Sequence, residues 1–459
     1  MAVFSSVNLS QIEYTRVDAD FYRPQYLREL KSWKKIKESI GTAKLSQLIS
    51  APVRTGRTPH SRRIQAEDSV VSFIKTDNIR EGTINFSTSA SLPVRVLKDS
   101  DYINPDSLVV TIIGATPEIV GRAAIVRSSD PQCVTNQNIA VIATNDKCDP
   151  YFLTAYLQTK FGRDQLWRLS RRTEQVNLNC REVERILVPN PGINIQQNIG
   201  DLIRHSFRET DNSVSLYTQA KQLLESELGL DKICFQKPAG YKARFNTVRL
   251  TDTFSAQRID SQCFAPDALF YEKWLCSHFR CNRLGKLLQS SAKGCQQTES
   301  PKGNCDYCSI KHILGREMVG VSKCRLSADT AVAGTDDLLL AITGATIGKI
   351  GIVKRYTRLA FSGDLLMLRT KSEINPNYLL LALDHRIGQM QFFRWITGST
   401  NGHLSPRDIG RVLVPRLDES IEDNISQLVE KSLYKRQESE QLLEQAKSRV
   451  ERLIEEGVR

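Results

Sequence analysis

The residues Leu404-Ser405-Pro406-Arg407-Asp408-Ile409-Gly410-Arg411-Val412-Leu413-Val414-Pro415 have an earlier counterpart in the same chain, Leu178-Asn179-Cys180-Arg181-Glu182-Val183-Glu184-Arg185-Ile186-Leu187-Val188-Pro189, 226 positions upstream. The register holds for a long way in both directions. Towards the N-terminus Pro150 matches Pro376, Phe152 Tyr378, Leu153 Leu379, Gly162 Gly388, Gln165 Gln391 and Arg168 Arg394. Towards the C-terminus Ile195, Ile199, Leu202, Ile203, Phe207, Tyr217, Ala220, Leu224 and Leu228 fall on Ile421, Ile425, Leu428, Val429, Leu433, Leu443, Ala446, Val450 and Ile454. Every one of these pairs is apolar, and the three-and-four spacing is that of a helix with one dry face. Both stripes thin in the middle, at Asp211–Ser213 and Gln437–Ser439. The chain contains itself twice.

Upstream of the shared helix the copies drift. Ile113-Gly114-Ala115-Thr116 meets Thr343-Gly344-Ala345-Thr346 at an offset of 230, Phe73-Ile74-Lys75 meets Ser309-Ile310-Lys311 at 236, and Arg16-Val17-Asp18 with Pro24 meets Arg258-Ile259-Asp260 with Pro266 at 242. The first copy is therefore 16 residues longer in its early part, as if one scaffold carried two sets of loops. Those early parts read as short β-rich runs (Ser69–Ile74, Ser107–Ile113, Ala123–Val126 and Ile139–Ala143; Leu338–Thr343, Gly351–Val353 and Leu365–Arg369) broken by Gly, Pro, Asn and Asp. The expected class is α+β: two similar mixed α/β modules separated by two long antiparallel helices, related by a pseudo-twofold repeat. The expected boundaries are 1–191 for the first module, 192–232 for its helix, 233–248 for a linker, 249–416 for the second module and 417–459 for the second helix.

The 459 residues carry 63 Lys and Arg against 51 Asp and Glu, a net charge of +12, which favours a polyanionic partner. No apolar run reaches the length of a membrane span, since Leu338–Val353 is broken by Thr343, Gly344, Gly348 and Lys349. No secretory signal is visible at the N-terminus, so a cytoplasmic location is expected. The odd count of 11 cysteines fits no closed disulfide framework.

The order of a loop-rich module, an LVP phrase and a helix, given twice, resembles the specificity subunit of type I restriction-modification systems. In that family each target-recognition domain has a Gly-Ala-Thr/Gly turn before a Gly-Ile-Val-like strand, and Gly344-Ala345-Thr346-Ile347-Gly348-Lys349-Ile350-Gly351-Ile352-Val353 is similar to it. Residues 404–415 resemble the family phrase L-S-x-x-D-I-x-x-L-x-V-P, whereas in the first copy Pro117-Glu118 interrupt the turn and Asn179-Cys180 replace Ser-Pro. The resemblance implies a non-catalytic subunit that reads a bipartite, asymmetric site in double-stranded DNA. It implies partner subunits as well: adenine-N6 methyltransferases, two of them, and through them a motor-nuclease. Rival readings are a helical scaffold that reads no DNA, the DNA-recognition component of another anti-phage system, and a self-contained DNA-modifying enzyme.

Enzymatic and cofactor motifs fare poorly. An amino-methyltransferase needs Asn/Asp-Pro-Pro-Tyr/Phe, and Asn375-Pro376-Asn377-Tyr378 lacks the second proline. Gly344 to Lys349 is one residue short of a phosphate-binding loop and Ile350 stands where Ser or Thr would hold magnesium, so a hairpin-type turn is expected. No cofactor and no metal site is assigned, although Cys305 and Cys308, with Cys295 and Cys324, leave a zinc clasp open. Cys276, His278 and Cys281 are expected on one face of an amphipathic helix. The DNA-binding candidates are the basic loop residues Arg54, Arg57, Arg62, Arg63, Lys293 and Lys302, the strand-end residues Lys75 and Lys311, Lys349 in the turn, and a second surface of Arg171, Arg172, Asn401 and His403. The helix-packing and partner candidates are Ile199, Leu202, Ile203, Tyr217 and Leu224, facing Ile425, Leu428, Val429, Leu443 and Val450.

Overall fold

Leu108–Thr111 is buried at every position, and its alternating side chains serve two different cores: Leu108 and Val110 face one, Val109 the other. A strand with no wet face needs a partner on each edge and a layer on each side, and the first module supplies both. In the computed structural model, which describes residues 5–13, 16–60, 62–80, 82–114, 116, 119–172, 176–233, 247–327, 330–398 and 401–458, this strand lies between Ile139–Ile142 and Ala123–Ile125, with Arg54–Thr55 beyond Ile139–Ile142. All pairings in this four-stranded sheet are antiparallel. A second sheet places Val70–Ile74 between Ala90–Pro93 (antiparallel) and Cys133–Thr135 (parallel).

The second module has the same arrangement. Leu338–Ala341 is again buried throughout, with Leu338 and Leu340 on one core and Leu339 and Ala341 on another. It pairs with Leu365–Thr370 and Ile350–Ile352, and Leu288–Lys293 lies beyond Leu365–Thr370. Glu317–Met318 and Ile313–Leu314 extend this sheet to six strands. A second sheet places Cys305–Cys308 between Ser322–Cys324 (antiparallel) and Leu359–Phe361 (parallel), with Val332–Ala333 at its edge. The chain is thus an α+β protein of mixed sheets and helices.

After the sheets each module makes a helix pair, Pro150–Gln158 with Lys160–Leu169 and Pro376–Asp384 with Arg386–Trp395. Proline begins the first helix of each pair, where its missing N–H costs nothing. The residue before it caps the turn: Asp149 Oδ1 accepts from the amides of Tyr151 and Phe152 at 2.9 Å, and Asn375 Oδ1 from Asn377 N at 2.9 Å. Asn375, the nearest approach to a methyltransferase motif, is therefore a helix cap. The LVP phrases are edge strands. Leu187–Pro189 pairs with Thr42–Lys44, and Leu413–Arg416 with Arg280–Arg283. Buried glutamines hold these strands to the helix pair, since Gln165 Oε1 accepts from Leu187 N at 3.4 Å and Gln391 Oε1 from Leu413 N at 2.6 Å.

Two long helices follow, Ile193–Glu227 and Glu419–Val458. The chain divides into two units, Met1–Glu209 with Glu438–Arg459, and Thr210–Gln437, so each unit takes half of each long helix. In the first unit Ile199, Ile203 and Phe207 share a core with Ala446, Val450 and Ile454, with Leu202 and Leu443 packed at its margin. In the second, Tyr217, Ala220, Leu224 and Leu228 share a core with Ile425, Val429 and Leu433, with Leu428 at its margin. Fully burying one such side chain is worth about 1.5–3 kcal/mol. In each thin stretch a serine meets a serine of the other helix: Ser439 Oγ lies 3.0 Å from Ser206 Oγ, and Ser213 Oγ lies 3.2 Å from Ser432 Oγ. These buried polar groups satisfy one another.

Four details depart from the sequence reading. Ile195 belongs to the stripe by spacing but is 46% exposed in the first turns of its helix. Strand pairing aligns Phe73 with Tyr307 and Lys75 with Ser309, an offset of 234 rather than 236, because Ile74 opposes Thr135 as Cys308 opposes Phe361. The helix Pro266–His278 stops before Cys281, which lies on the strand Arg280–Arg283, so Cys276, His278 and Cys281 do not share a helix face. Gly344 to Lys349 does form a hairpin turn between Leu338–Ala341 and Ile350–Ile352, with Gly344 and Gly348 at φ of 71° and 91°. Of the expected linker, residues 234–246 lie outside the described residues. No helix among the described residues is long and apolar enough to cross a membrane.

Candidate nucleic-acid interface

In the first module the basic loop leaves the sheet at Arg54–Thr55, which pairs with Val141 and Ala140. Its next residue, Gly56, passes so close to the second sheet that a Cβ would lie 2.0 Å from Thr135 O, and only glycine fits. Arg57 N then donates to Thr135 O at 2.9 Å. Gly294 occupies the same place in the second module: a Cβ would lie 2.3 Å from Phe361 O, and Cys295 N donates to that oxygen at 3.0 Å. The scaffold position is the same, but Arg57 has become Cys295 and Arg54 has become Ala292.

The candidate cations divide into spent and unspent. Arg57 is bound by Asp101, with Nε to Oδ1 at 3.1 Å and a second bond from Nη2 to Oδ2. This hydrogen bond holds the Asp101 carboxyl below the usual range. Arg171 Nε donates to Glu182 Oε1 at 3.1 Å, and Lys311 Nζ to Glu299 Oε1 at 3.4 Å. By contrast Arg54, Arg62, Arg63, Lys75, Lys293, Lys302 and Lys349 have no carboxylate partner among the described residues. Arg54 Nη2 donates only to Tyr102 O, at 2.7 Å. Arg62 and Lys75 come together over the Phe73 ring, at 5.9 and 5.8 Å from its centroid. Lys349 Nζ reaches Ile310 O at 3.2 Å beside Lys311, and burial lowers its pKa. Cations without carboxylate partners can still neutralise phosphate, whereas a paired one must first surrender its acid.

The second surface is built on the segments that follow the central strands Leu108–Thr111 and Leu338–Ala341. Arg171–Arg172 pairs with Val176–Asn177, which pairs with Ile113–Gly114. The side chain of Arg172 lies outside the described residues. In the second module Thr397 and His403 exchange backbone bonds at 2.7 and 2.8 Å, and Gly344 N donates to Gly402 O at 3.1 Å. The Gly-Ala-Thr turn and the Asn401–His403 loop are therefore brought together, along with Lys349 at the turn's end. Lys293 ends the strand Leu288–Lys293, and Lys302 lies on the loop that follows it, laid across the second sheet of that module.

The cysteines do not form a clasp. Cys305 faces a core with Tyr307 and Cys324, while Cys308, three positions along the strand, faces the opposite one. Cys295 is exposed. Among the described residues no group of three or more His, Cys, Asp or Glu could hold a metal ion. Burial pushes the Cys308 thiol up to about 12, that of an inert core residue. Reading for surface charge also overlooks two arginines turned inward, Arg16 and Arg258. Their signal was the repeated Arg-x-Asp.

Residues 38–220 match the family described as the type I restriction modification DNA specificity domain. The specificity subunit of the type I restriction enzyme StySPI from Salmonella potsdam is 20% identical over 349 residues, 74% of this chain and 67% of that protein. The EcoKI specificity subunit of Escherichia coli (strain K12) is 19% identical over 159 residues, 35% of this chain and 34% of that one. Among solved structures, the S subunit of a type I restriction-modification system from M. genitalium is matched over 90% of this chain and 94% of its own, at 13% identity and a TM-score of 0.43. The HsdS subunit of Thermoanaerobacter tengcongensis is matched over 91% and 96%, at 15% identity and a TM-score of 0.30. By sequence, the chain is thus similar to the specificity subunits of type I restriction-modification systems, and residues 38–220 to their DNA specificity domain.

Proposed function

We propose that this protein is the DNA-reading subunit of a cytoplasmic type I restriction-modification complex, with each module reading one half of a bipartite, asymmetric site. It performs no reaction itself. It places two adenine-N6 methyltransferase subunits, and through them a motor-nuclease, on the sequence it has found. The observation that carries this reading is one scaffold built twice with different cations on it: the strand and glycine recur, but Arg54 and Arg57 are replaced by Ala292 and Cys295. Two readers of like geometry and unlike chemistry suit a site whose halves differ.

The long helices are the spacer in this reading. A step of seven from Ser206 to Ser213 is answered by a step of seven back from Ser439 to Ser432, which supports an antiparallel pairing related by a pseudo-twofold axis. Helices of 35 and 40 residues are roughly 50–60 Å long at 1.5 Å per residue, more than one turn of duplex. The exposed basic residues hold phosphate and base edges, and the helices offer the surfaces on which methyltransferase subunits dock. Methylome sequencing with and without this chain, in cells supplying its partner subunits, tests the proposal. Loss of a gapped adenine motif is expected; an unchanged methylome contradicts it.

A further inference from the structure

Each module begins with an arginine that reaches across the fold to the end of its second paired helix. Arg16 is 2% exposed and donates from Nη1 to Leu169 O at 2.5 Å and from Nη2 to Ser170 O at 3.1 Å and Arg168 O at 3.5 Å. Arg258 does the same in the second module, from Nη1 to Arg394 O at 3.3 Å and from Nη2 to Ile396 O at 3.0 Å. The last carbonyls of a helix have no partner within it and form its negative end, so a guanidinium there both satisfies and neutralises them.

The arginine is aimed by an aspartate two residues on. Arg16 Nε lies 2.8 Å from Asp18 Oδ2, and Arg258 Nε 2.7 Å from Asp260 Oδ2. The same aspartates turn the backbone, accepting from Phe21 N and from Cys263 N, each at 3.0 Å. The helix answers in kind. Arg168 Nε donates to Phe21 O at 3.2 Å, and Arg394 Nε donates to Cys263 O. All of these contacts but the bond from Arg16 to Leu169 O recur at the counterpart positions, so the two modules share a reciprocal latch. It ties a lead-in segment to a helix end 153 residues away in the first module and 136 in the second.

The chain leaves the latch directly into the candidate reading hairpin, Arg171–Arg172 in one module and Thr397–His403 in the other. In the first module the link is closer still, because Glu182 lies 3.8 Å from Arg16 and 3.1 Å from Arg171. The contacts that fix the helix end are made to backbone carbonyls, so they hold it whatever side chains the hairpin carries. A device of that kind lets the reading residues vary while their launch point stays put.

We infer that Arg16 with Asp18, and Arg258 with Asp260, are positioning residues that each aim the DNA-reading hairpin of their own module. This rests on the DNA-reading function proposed above. The test is selection from a pool of random duplexes by the full chain assembled with its methyltransferase subunits, comparing the native protein with R16Q and R258Q. Each variant should lose ten-fold or more in base discrimination over one half of the gapped site. The two should affect opposite halves, with affinity for non-specific duplex unchanged. R16K, which keeps the charge but not the fork of donors, should restore discrimination only in part. Should R16Q fail to fold, D18N and D260N carry the same comparison. Equal loss over both halves, or intact discrimination in folded variants, overturns the latch as a positioning device. A native protein that selects no sequence overturns the DNA-reading proposal itself, and the inference with it.

Discussion

Gly56 and Gly294 are held where backbone meets backbone, and that makes them a sharp test at the scale of single residues. A methyl at either position lands within 2.3 Å of a carbonyl oxygen that is itself fixed by sheet pairing. G56A and G294A should each destabilise the protein by about 1–3 kcal/mol, the range of an overpacked interior, read as a lowered denaturation midpoint. An unshifted midpoint would show that the loop can move away. Glu29 offers a second test. Burial, then the negative charge of Asp164, raises its carboxyl from 4.5 to about 7, opposed by Lys160 and Arg168. A carboxyl raised on folding contributes its stability fully below about 4.5 and loses it as pH climbs through 7. E29Q should therefore flatten the fall in melting temperature between pH 5 and 8, and an unchanged pH profile would reject the assignment. Nothing in the sequence marks Glu29, whose partner Asp164 stands on a different helix. The same limit hid which cations were spent: Arg57 meets an acid 44 residues away, which no local pattern displays.

At the scale of elements, the long helices were the most legible part, because an apolar stripe at three-and-four spacing that recurs in both copies has few alternative readings. Ile203 and Ile425 are fully buried in the two cores where the helices meet. I203A and I425A should each cost about 2–5 kcal/mol in chemical denaturation, as large-to-small changes in packed cores do. Charge at the margins should act on assembly instead: L202E or L428E is expected to abolish complexes with partner subunits in native mass spectrometry, and intact complexes would count against the helices as docking surfaces. The strands were less legible. Runs of two or three residues such as Arg54–Thr55 and Cys133–Thr135 are too short to show a period. The error at Phe73 has a definite cause, since sliding a strand by two residues returns every side chain to the same face. Alternation alone therefore cannot distinguish Tyr307 from Ser309 as its counterpart, whereas sheet register does.

At the scale of the whole molecule, the duplication was readable because the scaffold phrases recur in order, and the loops were not because they have diverged. Their divergence is the substance of the proposed function: one geometry, two chemistries, two half-sites. The most direct test replaces residues 1–191 with the corresponding module of a type I specificity subunit and sequences the methylome of cells carrying the hybrid complex. The account predicts a new gapped motif that keeps one half of the original and exchanges the other. A motif changed in both halves, or in neither, would contradict it.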